Sequence, residues 1–175
     1  YNGSSPTLTN CTFETNTAIV RGGGLYSRYF SNVTINDCTF NSNIAVLGGG
    51  GIFCSSFSDS TLTNCTFVEN ATKSNPSNGG GMGVSNSNST LLNCDFLGNI
   101  TSTNGGGLFC SIGCNTTITG CTFDNNSSAN GGGLFLDYIC TTTIDNAIVV
   151  NNTATDEGGG LWCSDQSVVT LSQST

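Results

Sequence analysis

A Gly-Gly-Gly run followed by an apolar residue occurs six times in this chain, at intervals of 26 to 30 residues. Self-similarity with a period in this range is typical of repeat proteins, in which each unit buries its apolar face only by stacking on its neighbours. The chain is therefore predicted to be a stack of similar coils. The apolar residues that follow the glycines are Leu25, Ile52, Met82, Leu108, Leu134 and Leu161.

Each repeat also carries a cysteine, with Leu or Ile three positions before it and usually Phe two positions after it. This short alternation of apolar and polar residues predicts strands with one buried face, and no helical period competes with it. The residue before the cysteine is Asn, Asp or Gly, which tolerate the left-handed backbone conformation, so a bend is predicted there. The cysteine ladder consists of Cys11, Cys38, Cys65, Cys94 and Cys121.

An asparagine lies five positions after the ladder cysteine, and a sixth Asn occupies the matching position where Ala147 replaces the cysteine. A buried Asn must satisfy both its donors and its acceptor, and stacking on its own copy in the next coil does so. We therefore predict a structural asparagine ladder inside the coils. Its members are Asn16, Asn43, Asn70, Asn99, Asn126 and Asn152.

Together these patterns predict an all-β fold, a single-stranded parallel β-helix (β-solenoid) with about 27 residues per coil, six coils and a partial seventh. We expect it to be right-handed, as most crossovers between parallel strands are. Residues 1–175 are interpreted as one β-helix domain. Because an uncapped sheet end invites a further strand, we expect this domain to be a segment of a longer solenoid or a fibre subunit.

Paired motifs in fixed phase connect the repeats to known families. Gly-Gly-x-Leu/Ile alternates with Phe-x-x-Asn, and this pair resembles the repeats of chlamydial polymorphic outer-membrane proteins and, more broadly, of pectin-lyase-like right-handed β-helices. A third Gly stands where the chlamydial repeat usually has Ala. The resemblance implies a β-helix, but adhesins, surface fibres and sugar-cleaving enzymes all share such repeats. The Phe-x-x-Asn motifs span residues 13–16, 40–43, 67–70, 96–99 and 123–126.

The charge composition excludes several functions. The chain has no His, only three cationic residues and a net charge of −8, so nucleic acid and anionic membranes are poor partners. No apolar run approaches the roughly 20 residues of a membrane span. No Asp-Asp pair or His is available for polysaccharide hydrolysis, and the adjacent acids Asp156 and Glu157 are interpreted as a solvated loop. We predict no catalytic residues, cofactor or metal site, and hence no enzyme.

Asn-x-Ser/Thr sequons indicate that the chain could carry N-linked glycans. Those at Asn32, Asn88 and Asn115 fall at matching loop positions before a strand, where a glycan could project from the rod. Glycosylation there would imply a eukaryotic secretory route and a secreted or cell-surface location.

An aromatic residue follows the apolar one after the glycines in five of the six repeats. If strict alternation continues through this corner, the aromatic side chains form an exposed stripe that could stack on sugars or on another protein. If the corner breaks the alternation, they are buried. The possible stripe consists of Tyr26, Phe53, Phe109, Phe135 and Trp162.

Most of the ten cysteines are interpreted as reduced and buried, acting as small apolar residues. Cys114 and Cys140 occupy one column in adjacent coils, about 4.8 Å apart, and are therefore a possible disulfide.

The leading hypothesis is a structural or adhesive extracellular β-helix glycoprotein, a building block of a surface appendage or filament that stacks end to end. Its partners would be itself or further repeats of the same chain, and covalent or bound glycans. The alternative is a carbohydrate-binding or polysaccharide-cleaving module that uses the aromatic stripe, and ice binding by the Thr columns is a third possibility.

Overall fold

The segments in which apolar and polar residues alternate form strands of only two to five residues, because a bend ends each strand. The computed structural model describes residues 3–175, so Tyr1 and Asn2 of the predicted domain lie outside the described residues. Every strand pairs in parallel with its copy in the neighbouring coil, and no helix occurs in the described residues. The predicted all-β parallel β-helix, with about six turns of roughly 27 residues, is confirmed.

Two sheets come from the predicted alternations around the cysteine column. Sheet 1 contains the Leu or Ile that precedes the cysteine, and its strands are Thr7–Thr9, Val33–Asn36, Ser60–Thr63, Ser89–Leu92, Asn115–Thr119, Thr141–Asp145 and Val168–Ser172. Sheet 2 contains the Phe that follows it, and its strands are Thr12–Glu14, Thr39–Asn41, Thr66–Val68, Asp95–Leu97, Thr122–Asp124 and Ile148–Val150.

The other strands follow the asparagines and the glycines. Sheet 3 is interrupted: Thr17–Ala18, Ile44–Ala45 and Ala71–Thr72 pair with one another, isolated bridges at Ile100 continue the column, and Ser127–Asn130 pairs with Thr153–Glu157. Sheet 4 follows the glycines, and its strands are Leu25–Arg28, Ile52–Ser55, Met82–Ser85, Leu108–Ser111, Leu134–Asp137 and Leu161–Cys163.

The core is a set of one-residue columns that run along the rod. The clearest is the Phe column of sheet 2, in which Phe67 stacks on Phe40 at 5.0 Å and on Phe96 at 4.6 Å between ring centroids. These rings are nearly parallel and fully buried. Because successive coils lie in register, each ring uses the copies above and below as its packing surface.

The bend predicted before the cysteine is confirmed at all six positions. Their backbone φ angles lie between 50° and 63°, in the left-handed region that Asn, Asp and Gly adopt most readily. The positions are Asn10, Asp37, Asn64, Asn93, Gly120 and Asn146. A second left-handed bend, which the sequence did not reveal, precedes each ladder asparagine. It lies at Thr15, Ser42, Glu69, Gly98, Asn125 and Asn151.

The glycine corner needs glycine for two separate reasons. The first glycine of a run has a positive φ, as Gly49 does at 60°. The second lies against the backbone of the next coil: a Cβ on Gly50 would come within 2.3 Å of the carbonyl oxygen of Gly80. No side chain fits at that distance, so the run holds adjacent coils in close contact where sheet 3 passes into sheet 4.

We expect Phe67→Ala to destabilise the fold by about 3–5 kcal/mol, because it opens a cavity in the middle of a buried stack. Phe57 is the matched control, since its ring is 57% exposed. Phe57→Ala should change the free energy of unfolding by no more than about 0.5 kcal/mol. Urea unfolding followed by circular dichroism measures both, and equal losses would contradict the assignment of the core.

Candidate functional site

The asparagine ladder satisfies backbone groups at a corner where the sheets cannot. The Oδ1 atom of Asn70 accepts hydrogen bonds from the backbone N–H and from Nδ2 of Asn43, each at 3.0 Å. The Nδ2 atom of Asn70 donates to Oδ1 of Asn99 at 3.0 Å and to the carbonyl of Phe40 at 2.8 Å. Both polar atoms of this buried side chain are thus fully used.

The same pattern runs through the ladder, from Asn16 at the rim to half-buried Asn152. Each side chain from Asn43 onward accepts the backbone N–H of the corresponding residue one coil earlier. The ladder is therefore part of the scaffold, and its sequons at Asn70, Asn99 and Asn126 are fully buried.

The cysteine column has a similar role at the preceding bend. The backbone N–H of Cys11 donates to Sγ of Cys38, and that of Cys94 donates to Sγ of Cys121, both at 3.3 Å. Each ladder thiol also donates to the carbonyl two residues before it, as Cys38 does to Asn36 at 3.1 Å. The structure places Cys38, Cys65, Cys94 and Cys121 in the interior and leaves Cys11 half-buried.

The interior affects the thiols in two ways: burial keeps Cys54 and Cys110 protonated, whereas hydrogen bonds from neighbouring thiols lower the pKa of Cys65, Cys121 and Cys140. Burial raises the pKa of Cys54 and of Cys110 to about 12 in each case. Hydrogen bonds with Cys121 and Cys65, followed by burial, raise the pKa of Cys94. Because the thiolate is the nucleophile and the metal ligand, the thiols with a raised pKa act as packing and hydrogen-bonding groups.

The possible disulfide between Cys114 and Cys140 is absent, since both residues are free thiols. The Sγ atom of Cys114 donates to the carbonyl of Ser111 at 2.9 Å, and that of Cys140 donates to the carbonyl of Asp137 at 3.0 Å. Each sulfur therefore has a backbone acceptor in its own coil, and the two thiols also hydrogen-bond to each other. Serines occupy equivalent positions in other coils: the backbone N–H of Cys140, for example, donates to Oγ of Ser167 at 3.0 Å.

The interpretation of the aromatic column as an exposed stripe is wrong for its central members. Phe53, Phe109 and Phe135 are 3–7% exposed, whereas Tyr26 at one end is 38% exposed and Trp162 at the other is half-buried. The alternation of sheet 4 itself is intact, because the residues flanking Phe53, Ile52 and Cys54, belong to the interior core.

The aromatic rings are buried because the chain segment just before the glycines of each coil covers them. This covering segment includes Arg21 in the first coil and Gly48 in the second. Gly48 lies so close to Phe53 that a Cβ there would come within 2.9 Å of the ring. The guanidinium of Arg21 lies 5.1 Å from the centroid of the same ring. At the other end, Nε1 of Trp162 donates to Glu157 at 2.8 Å. The column is a second, outer core layer: the alternative that its rings are buried is confirmed for the central members, but the expected cause, a break in the alternation, is wrong.

Asn32, Asn88 and Asn115 are exposed and belong to one column on the side of the rod. Oδ1 of Asn32 accepts the backbone N–H of Asp59 at 2.9 Å, and Oδ1 of Asn88 accepts that of Asn115 at 2.9 Å. Within residues 3–175, Nδ2 of Asn32 and of Asn115 has no hydrogen-bond partner. Asp59 completes the column by accepting the N–H of Asn88 at 2.8 Å.

An exposed apolar corner lies between sheet 4 and sheet 1, and it was not predicted. Its side chains are 44–61% exposed, and several of these residues have a positive φ. The φ of Ile112 is 67° and that of Ile139 is 63°, although a β-branched residue in this region costs about 1–2 kcal/mol. Phe30 and Phe57 stack at 5.3 Å. The apolar corner consists of Tyr29, Phe30, Phe57, Ile112, Tyr138 and Ile139.

The model of the family described as "Right handed beta helix region" matches residues 1–175. The chain belongs to the right-handed β-helix family. Its expected handedness and the suspected resemblance are thereby confirmed. A search among curated proteins found no match, and a search among solved structures found none. Right-handed β-helices include both pectate-lyase-like enzymes and structural proteins, so membership alone leaves the activity open.

The side chains that could bind a metal ion do not cluster in the described part of this right-handed β-helix. Across residues 3–175, no three His, Cys, Asp or Glu side chains are grouped so as to hold a metal ion. Asp156 and Glu157 are exposed as expected, but their interpretation as a loop is wrong, because both lie in the last described strand of sheet 3. The described residues include no helix with the length and apolarity of a membrane span.

We expect Asn70→Ala to destabilise the β-helix by at least about 3 kcal/mol, because each buried donor left without an acceptor costs about 1–3 kcal/mol. The N–H and Nδ2 groups of Asn43 would both lose their acceptor. Asn36, in a strand of sheet 1, is the control, and Asn36→Ala should cost no more than about 0.5 kcal/mol. Chemical denaturation measures both free energies, and a small loss for Asn70→Ala would contradict this role of the ladder.

Proposed function

We propose that this right-handed β-helix is a structural or adhesive extracellular glycoprotein, a stiff building block of a surface appendage or filament, and that it is not an enzyme. The observation that carries the proposal is the hydrogen-bonded asparagine ladder, which joins the six coils from Asn16 to Asn152 and whose four central members are buried. A rod held together in this way resists bending, because bending would break several buried hydrogen bonds at once.

Stacking of copies is supported by the regularity of the coils. The first five coils present the same Phe, Asn, Cys and Gly columns in parallel register, and the sixth keeps the Asn and Gly columns but has Val149 and Ala147 in the other two. A further coil, whether of the same chain or of a second copy, can therefore continue the ladders through the same kinds of hydrogen bond and packing contact. Filament growth by this route would use the hydrogen bonds that hold the coil stack itself together.

The two side surfaces support a role outside the cell. The exposed column with Asn32, Asn88 and Asn115 offers sequons on a solvent-facing strand edge, where a glycan leaves the core undisturbed. The apolar corner offers a contact surface, since contiguous exposed apolar patches commonly mark interaction sites. The carbohydrate alternative loses its main support, because the central part of the aromatic column is covered.

We expect the purified chain to form rods that lengthen with concentration while their width stays constant. Electron microscopy and sedimentation velocity would show steps of about 30 Å, the height of six coils at about 4.8 Å each. Leu171→Lys places a charge on the face that a stacked copy would cover, so it should prevent lengthening. Ile139→Lys changes an equally exposed residue on the apolar corner and should not. Monomers at every concentration would refute self-stacking.

We expect a eukaryotic cell that secretes the chain to add glycans at Asn32, Asn88 or Asn115. Thr34→Ala, Thr90→Ala and Thr117→Ala each remove a sequon but keep the asparagine and its hydrogen bond. At an occupied site, the variant should lower the intact mass by one glycan. Thr61→Ala, a strand threonine of the same column outside any sequon, should change the mass by the substitution alone. Identical masses before and after enzymatic deglycosylation of the parent chain would refute the glycoprotein proposal.

A further inference from the structure

Two of the three cationic side chains of this acidic protein, Arg21 and Arg28, line one cleft of about 190 Å³ on the side of the rod. The cleft lies where the covering segment and sheet 4 meet, at the end of the aromatic column where Tyr26 is exposed. Its other lining residues are Phe53, Ser55, Ser56 and Ser85, of which all but Phe53 carry a hydroxyl group.

The two guanidinium groups lie over aromatic rings rather than beside hydrogen-bond acceptors. Arg21 has its guanidinium 5.1 Å from the centroid of the Phe53 ring, and Arg28 has its own 4.0 Å from that of the Tyr29 ring. A cation–π contact uses the face of a guanidinium, whereas its N–H donors radiate in the plane. Across residues 3–175, neither guanidinium group has an ion-pair or hydrogen-bond partner.

Placing two like charges in one cleft is unfavourable unless an anion shares them. The chain has eleven carboxylate side chains, yet none of those described pairs with either arginine. The cleft also contains neutral hydroxyl groups: those of Tyr26 and Ser55 share a hydrogen bond of 3.3 Å, which leaves one of the two with a donor for a ligand. Guanidinium forks and hydroxyl groups are the donors that bind carboxylate and sulfate oxygens best.

We propose that this cleft is an oxyanion-binding site, which takes a sulfate or carboxylate group, either free or carried on a sugar ring. The guanidinium groups of Arg21 and Arg28 bind the oxygens, the serine hydroxyls complete the hydrogen bonding, and Tyr26 provides an exposed ring beside the anion. The site is independent of the filament and glycan proposals, because it uses neither the coil faces nor the sequons.

The test is a titration with sodium sulfate, with sodium acetate and with glucose 6-sulfate, at ionic strength held constant with sodium chloride. Amide chemical shifts report binding, and we expect saturable shifts at Ser55, Ser56 and Ser85. Arg21→Gln and Arg28→Gln should each weaken binding about tenfold or more, since each removes charge-assisted hydrogen bonds. Both residues are exposed, so the variants should keep the thermal stability of the parent.

Lys73→Gln is the matched control, because it removes the same charge at the only cationic residue outside the cleft and should bind as the parent does. Equal affinity for sulfate and glucose 6-sulfate would support recognition of the anion alone. Tighter binding of glucose 6-sulfate, with no response to glucose, would support recognition of an anionic sugar. An absence of saturable shifts, an undiminished affinity in both arginine variants or an equal loss in Lys73→Gln would each overturn the proposal.

Discussion

The backbone N–H at each corner of a coil is the group on which this structure depends. Strands end after a few residues, so the regular sheet ladder is interrupted at single N–H groups in the corners, and an N–H buried without an acceptor would be costly there. At three corners a short polar side chain from the following coil supplies the acceptor. Asn70 does so for Asn43, Cys38 for Cys11, and Ser58 for Ser31. The coils are therefore joined by side chains as well as by sheets.

This constraint explains why columns with different residues are equivalent. Cys and Ser are both small and both carry an acceptor atom, so they exchange within a column without altering the coil: Oγ of Ser174 accepts the N–H of Ala147 where other coils use a cysteine sulfur. The cysteines are thus explained by hydrogen bonding and packing. Asn is harder to replace, because its Oδ1 accepts two hydrogen bonds while its Nδ2 donates two others.

Much of the interior could be predicted from the sequence, because a column is a periodic signal that six copies reinforce. The bend before the cysteine was predictable for the same reason, since Asn, Asp and Gly favour the left-handed conformation. The bend at Thr15 and Glu69 was not, because these residue types do not favour it and the ladder asparagine that follows imposes it. Burial of Phe53 was one of two alternatives that the sequence left open, since it depends on where the covering segment at Gly48 passes. The apolar corner escaped notice because Ile112 and Ile139 adopt a conformation that their side chains disfavour.

The contrast between a uniform interior and a varied exterior indicates where function lies. Residues that face inward repeat from coil to coil, and their hydrogen bonds and packing contacts are satisfied by their own copies. Residues that face outward change along the rod: the aromatic column is bounded by Arg21 and Tyr26 at one end and by Trp162 paired with Glu157 at the other. The two ends of this column therefore differ in charge, cationic at Arg21 and acidic at Glu157, on a scaffold of constant geometry. Such a polarity cannot arise from the repeats themselves.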